Sequence, residues 1–219
     1  MTATEALLKD NLARIEERIA AACARAGRPR SSVTLVAVTK SVTAEVAALL
    51  PALGVHDLGE NRPQELWRKA AVLPGVRWHF IGHLQRNKIE RTVPLLQCIH
   101  SIDSERLLDA LEAHGQALEG FLEFNCSGEA SKGGFAPQEV EALEPRIAML
   151  KHVRITGVMT MAAPNDPDAA RRSFTTLRQL GQQLGVPFLS MGMSGDFEIA
   201  IEEGATHIRI GSTLFEGIA

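Results

Sequence analysis

The sequence predicts a single (β/α)8 barrel of TIM type, one domain over residues 1–219, preceded by an extra N-terminal helix. Three observations carry this. Short apolar runs, several of them β-branched and apolar on both faces, alternate with stretches of helical periodicity, as parallel strands covered by helices do. Eight such runs fit a closed barrel, and a length of 219 residues lies near the lower end for that fold. The competing architecture is an open doubly wound sheet, but no G-x-G-x-x-G follows the first strand, so the barrel is preferred. No Ser/Pro-rich linker or low-complexity segment divides the chain.

The elements follow in order. A helix is expected over 4–26, where Leu7, Leu8, Leu12, Ile15, Ile19 and Ala22 recur at three- to four-residue spacing and leave one apolar face. Strands are expected over 32–39, 55–59, 76–82, 98–102, 120–126, 153–161, 187–193 and 206–211. Between them helices are expected over 43–52, 62–72, 84–92, 104–118, 137–150, 167–184 and 196–203. Pro137 and Pro167 fall near helix starts, where a missing N–H costs least. Gly54, Gly185 and Gly204 fall just past helix ends, where left-handed residues cap them. After the last strand the eight residues STLFEGIA are too few for a full eighth helix, so the N-terminal helix is expected to pack over the first and last strands in its place.

Composition narrows the function classes. A net charge of -3 argues against nucleic acid, whose phosphates call for a dense basic surface. No apolar run approaches the ~20 residues of a membrane span, and the N-terminus has no basic-then-apolar secretory pattern. Cys23, Cys98 and Cys126 form no C-x-x-C pair, which points to a reducing cytoplasm with neither a disulfide framework nor a zinc site.

The chemistry gathers at strand ends. Lys40 closes LVAVTK and shares a strand face with Val38 and Val36. If that face points inward, an amine sits at the barrel mouth over an apolar floor. Desolvation there favours the neutral nucleophile that condenses with aldehydes; a solvated strand-end lysine is the plain alternative. Arg209, between Ile208 and Ile210, faces the interior if the isoleucines face the helices. A guanidinium there needs an acceptor, either a barrel carboxylate such as Glu60 or Glu123, or a ligand atom such as a pyridine nitrogen. Gly211, Ser212 and Thr213 open the last segment, as an anion cup at a helix N-terminus would. The loop after strand seven, SMGMSGD, offers Ser194 either as a helix cap or as a second phosphate donor. These two loops are where such barrels commonly hold phosphate.

Other candidates are weaker. His79 and His83 cannot share a metal from one strand, because four residues span ~13 Å; His79 is expected to be a hydrogen-bonded barrel histidine. Glu60 or Asn61 could position groups near Lys40, and Lys132, in the glycine-rich loop SGEASKGG, is either an accessory amine or an exposed lysine.

The segments LVAVTK, LGENRPQE, WHFIGHLQRNK, HSID, NCSGEASKGGF, GVMTM, LSMGMSGDFEIAI and THIRIGSTLF resemble, in order and spacing, those of the pyridoxal phosphate homeostasis proteins. These are in turn similar to the barrel domain of alanine racemase. The resemblance covers roughly residues 4–216. It implies an alanine racemase N-terminal-domain-like fold with pyridoxal 5'-phosphate as cofactor. It also implies Lys40 as the Schiff-base lysine, Arg209 facing the pyridine nitrogen, and Ser194, Gly211 and Ser212 at the phosphate. One departure lies in the tail: the family pattern is F-G-x-R, whereas this chain reads Phe215-Glu216-Gly217-Ile218.

Two functional classes fit. One is a carrier that binds the cofactor and releases it to apo pyridoxal phosphate enzymes. The other is a small racemase or decarboxylase on the same barrel. The sequence contains no tyrosine to act as a second base, and an arginine opposite the ring nitrogen weakens the ring as an electron sink. Both favour the carrier. A third, weaker reading is a barrel with no ligand at all.

Overall fold

A computed structural model describes residues 2–129 and 133–218. Eight parallel strands close in sequence order: β1 (Thr34–Val38), β2 (Asp57–Glu60), β3 (Arg77–Phe80), β4 (Cys98–Ile102), β5 (Leu118–Glu123), β6 (Val153–Met159), β7 (Phe188–Ser190) and β8 (His207–Ile210). β8 returns to β1 with Val36 opposite Arg209 and Ala37 opposite Ile210. Each expected strand has its counterpart.

The helices are α1 (Ala3–Arg25), α2 (Ala44–Ala47), α3 (Pro63–Ala70), α4 (Ile89–Thr92), α5 (Glu105–His114), α6 (Val140–Ala148), α7 (Pro167–Gln183) and α8 (Phe197–Glu202). Three differ from expectation for identifiable reasons. The helix expected over 43–52 is a single turn, α2, followed by a 3-10 turn at Pro51–Leu53, since Pro51 lacks the N–H to continue. The helix expected over 84–92 is a 3-10 turn at Arg86–Lys88 leading into the single turn α4, and Pro94 stops it soon after. The helix expected over 104–118 ends at His114, where Gly115 takes the left-handed conformation (φ 79°). Leu118 already belongs to β5.

Two apolar layers follow from strand alternation. Leu35, Ala37, Ile208 and Ile210 belong to the large core between sheet and helices. The barrel interior holds a small cluster of Cys98, Phe121 and Met159, with Val36 and Val38 buried toward it from β1, and it also carries polar side chains, among them His79, His100, Ser190 and Arg209.

α1 fills the place of a helix after β8. Arg18 and Arg25 pair with Glu198 and Glu202 of α8 at 2.9 and 2.8 Å. Asn11 Nδ2, buried, donates to the carbonyl oxygens of Leu214 and Glu216 at 3.1 and 2.9 Å. Among the described residues no helix is long and apolar enough to cross a membrane.

Candidate functional site

Lys40, Asn61, Ser194, Arg209, Gly211 and Ser212, separated in sequence by up to 172 positions, line one cavity of about 500 Å³ at the C-terminal mouth of the barrel. The loop after β6 supplies a further wall through Met161 and Asn165. The segment GVMTM ends in Met161, whereas nothing in the sequence singles out Asn165, whose φ of 60° is a conformation asparagine tolerates better than most residues.

Lys40 stands in the turn after β1 and is exposed. The desolvation anticipated from strand alternation is therefore absent: β1 ends at Val38, so the alternation that would bury residue 40 stops two residues early. Beneath this turn lies a buried ion pair that the sequence did not announce. Lys69 of α3 donates to Glu60 Oε1 at 2.5 Å and to the Thr39 carbonyl oxygen at 2.6 Å, and Thr39 Oγ1 donates to the same Glu60 oxygen at 2.7 Å. A lysine on an amphipathic helix is ordinarily read as solvated, so no local signal singled it out.

Two acceptors near this pair have no hydrogen-bond partner, Glu60 Oε2 and Asn61 Oδ1, and both are buried. The Asn61 backbone is held against Gly82, where a Cβ would fall 2.2 Å from the Asn61 carbonyl oxygen. A glycine at this position, two residues beyond β3, thus leaves room for the Asn61 backbone at the cavity wall.

Arg209 is buried and faces inward as expected, but neither glutamate pairs with it. Glu60 is taken by Lys69. Arg209 Nη1 donates to Ser190 Oγ at 2.6 Å, and Nη2 donates to the Thr160 carbonyl oxygen at 3.0 Å. Burial lowers its pKa to about 10, against the pull of Glu123 and Asp196, which leaves it cationic at neutral pH. Glu123, at the end of β5, is pushed up to about 7 by burial and by Asp103 nearby. A cation fixed by a hydroxyl and a carbonyl, with no carboxylate bonded to it, is available to an acceptor entering the cavity.

The phosphate-type cup is differently built than expected. The residues after β8 form turns, opened by a single α-like turn in which Phe215 N–H donates to the Gly211 carbonyl oxygen at 3.1 Å. Ser194 does not cap α8, whose N-cap is Asp196. Its Oγ instead accepts from the Thr213 N–H at 3.3 Å, tying the loop after β7 to the loop after β8. Gly211 lies against β1, where a Cβ would be 3.2 Å from the Val38 carbonyl oxygen. His79 is a hydrogen-bonded interior histidine, and His83 is exposed and bonded to Asp103. Lys132 lies outside the described residues.

Comparison with known proteins bears on the family and the fold. The family model of the alanine racemase N-terminal domain matches residues 11–218. The pyridoxal phosphate homeostasis protein of Aquifex aeolicus is 38% identical over 94% of this chain and 96% of its own length. That of Pseudomonas aeruginosa is 40% identical over 95% and 94%. The chain belongs to the pyridoxal phosphate homeostasis protein family. The structure of PipY of Synechococcus elongatus PCC7942, with PLP bound, superposes with a TM-score of 0.76 at 34% identity, covering 92% of this chain and 99% of that one. Alanine racemase of Corynebacterium glutamicum superposes with a TM-score of 0.77 at 17% identity over 98% of this chain and 64% of that one, which makes the barrel a shared fold.

Proposed function

We propose that this chain, acting as one domain, carries pyridoxal 5'-phosphate as a Schiff base on Lys40 and surrenders it to apo-enzymes, without efficient turnover of its own. One observation carries the reading: the amine of Lys40, the buried cation of Arg209 and the Ser194–Gly211–Ser212 corner converge on one cavity.

The residues suit the cofactor. Arg209 would donate to the ring nitrogen, with a guanidinium that keeps its proton. Ser212, with the backbone at Gly211, would receive the phosphate, and Ser194 would brace that corner through Thr213. Asn61 offers a buried acceptor without a partner. When bound, the cofactor supplies an aldehyde for covalent capture and a ring that can accept electrons. Lys40 would supply the amine that condenses with this aldehyde, the aldehyde oxygen leaving as water. An exposed lysine at an open mouth lets a second amine exchange for it, a physical route to release. Arginine opposite the ring nitrogen disfavours ring protonation, and the chain contains no tyrosine to serve as a second base. Cys23, Cys98 and Cys126 are unpaired thiols, in keeping with a reducing cytoplasm.

The test is the absorption spectrum of purified protein loaded with pyridoxal 5'-phosphate, before and after Lys40→Ala, with borohydride fixation and peptide mapping. The fixed cofactor is expected on the peptide that contains Lys40, and fixation on another lysine overturns the assignment. Loaded protein is then mixed with an apo pyridoxal enzyme, which should gain activity. Racemisation or decarboxylation of amino acids at enzyme rates, on the order of 1 s⁻¹ or faster, would replace the carrier by an enzyme.

A further inference from the structure

A line of side-chain hydrogen bonds crosses the barrel interior from its N-terminal rim to Arg209. Asp57 opens β2 at the rim and is paired with Arg77 at 2.6 Å. Its Oδ1 lies 3.0 Å from His79 Nε2. His79 Nδ1 lies 2.9 Å from His100 Nε2, and His100 Nδ1 lies 2.7 Å from Ser190 Oγ. Ser190 Oγ then accepts from Arg209 Nη1 at 2.6 Å. The members come from β2, β3, β4, β7 and β8, and His79, His100, Ser190 and Arg209 are buried.

The direction of donation can be assigned. Burial works against ionisation of Asp57, but hydrogen bonds from Arg77 and His79 hold it well below the usual carboxylate range. An ionised carboxylate only accepts, so His79 carries its proton on Nε2. Burial keeps His100 neutral, and a neutral imidazole has one donor and one acceptor. The assignment that gives Ser190, His100 and His79 one donated and one accepted bond each runs from the donor Arg209 to Ser190, then His100, His79 and the acceptor Asp57. The reverse would leave Ser190 accepting twice, with its own proton unplaced in the line.

We propose that Asp57, His79, His100 and Ser190 are positioning residues for Arg209, through which an anion on the far rim of the barrel fixes the guanidinium that faces the ligand cavity. The inference rests on the reading that Arg209 meets the bound cofactor. A buried guanidinium without a bonded carboxylate needs strong acceptors, and hydrogen bonds aligned in series polarise one another. Ser190 is a stronger acceptor for donating onward toward an anion. No proton need travel, since Arg209 keeps its own. The same neighbourhood brings His79, Cys98 and His100 within 4.8 Å of one another, a spacing that could suit a metal. All four ring nitrogens are engaged in the line, however, and burial pushes the Cys98 thiol up, away from the thiolate a metal requires.

The experiment uses the full chain as wild type, Asp57→Asn, Ser190→Ala, the double variant and Arg77→Gln. Histidine ¹⁵N shifts of cofactor-free protein should show the proton on Nε2 of both His79 and His100, with mixed tautomers in Asp57→Asn. Titration with pyridoxal 5'-phosphate should show affinity reduced roughly 2- to 30-fold in Asp57→Asn, the range for residues along a coupled network. The double variant should bind no worse than Ser190→Ala alone, because Asp57 acts through Ser190. Arg77→Gln, which breaks the half-exposed ion pair but spares the line, should change affinity by no more than about twofold. Nδ1 protonation in the wild type, wild-type affinity in Asp57→Asn, or additive losses in the double variant would each overturn the proposal. If the wild type itself binds no cofactor, the carrier reading fails, and the histidine shifts still decide the direction of the line.

Discussion

Lys69 Nζ donates to the carbonyl oxygen of Thr39 at 2.6 Å, one residue before the lysine proposed to hold the cofactor. The same ammonium meets Glu60, and both side chains are fully buried. The end of β1, the end of β2 and the helix α3 are thereby tied to one charge, so the turn that carries Lys40 is anchored from below while Lys40 itself is exposed. Removing one member of such a pair strands the other in a low dielectric. Lys69→Met should destabilise the protein by about 3–5 kcal/mol, read as a lower denaturant midpoint. Adding Glu60→Gln to Lys69→Met removes the stranded charge and should recover part of the loss; a double variant less stable than Lys69→Met would contradict the account.

Glu123 sets a pH dependence of unusual sign. Its carboxyl is raised to about 7 in the fold, chiefly by burial, so between the ordinary carboxylate range and about pH 7 the folded protein binds a proton that the unfolded chain lacks. Stability from this group is fully present below pH ~4.3 and is lost as pH rises toward 7. Replacing it by glutamine should flatten that slope. The gain of Glu123→Gln over wild type at pH 8 relative to pH 4 should be about 4 kcal/mol at most, from 1.36 kcal/mol per unit between ~4.3 and about 7. Urea denaturation at the two pH values checks this, and a gain that is larger at pH 4 would be wrong in sign.

Gly82 is a steric requirement. A Cβ there would fall 2.2 Å from the Asn61 carbonyl oxygen, and a backbone atom cannot swing aside as a side-chain tip can. Gly82→Ala should cost about 1–3 kcal/mol as overpacking. It should also weaken cofactor affinity by displacing Asn61, whereas an alanine at Gly195, with no protein atom beyond its chain neighbours within 4 Å of its Cβ, should leave stability nearly unchanged. Thermal unfolding and cofactor titration of the two variants distinguish these outcomes.

The legible and illegible parts of the site differ in kind. Lys40, Arg209, Gly211 and Ser212 could be read because strand ends in a barrel point to one mouth and because an arginine flanked by Ile208 and Ile210 has few reasons to be there. The eight strands were legible for the same reason, since buried parallel strands are apolar on both faces. Lys69, His100 and Ser190 were not, because their partners lie up to 90 residues away and only closure of the sheet brings them together. The helix lengths failed where proline or glycine stopped a turn inside an apolar pattern, as at Pro51 and Gly115.

Ser212 and Ser194 should separate by role. Ser212 is exposed at the cavity wall, and its hydroxyl is free to meet a phosphate. Losing one donor to a charged group costs about 1.5–3 kcal/mol, roughly ten- to a hundredfold in affinity. Ser194 is engaged with the Thr213 N–H, so Ser194→Ala should weaken binding less and loosen the loop pairing. Equal, wild-type affinity in both single variants would place the phosphate elsewhere.

Asn11 makes the N-terminal helix part of the site. Its buried amide donates to the carbonyl oxygens of Leu214 and Glu216, in the segment that begins with Gly211 and Ser212. Around it Leu8, Leu12, Ile15 and Ile19 belong to the same core as Ile208 and Ile210. α1 therefore seals the seam beside β8 and also holds the last turns of the chain in place. Asn11→Ala leaves two acceptors without their donor, a loss of about 1–3 kcal/mol for an unsatisfied buried group, and cofactor affinity should fall with it because the loop bearing Ser212 is no longer pinned. Asn11→Asp replaces the donor by an acceptor facing two carbonyl oxygens and should be worse than alanine. Deletion of residues 1–26 exposes the whole apolar stripe of the barrel and should yield insoluble protein. A soluble truncation that binds pyridoxal 5'-phosphate as the full chain does would show that α1 neither closes the barrel nor supports the loop.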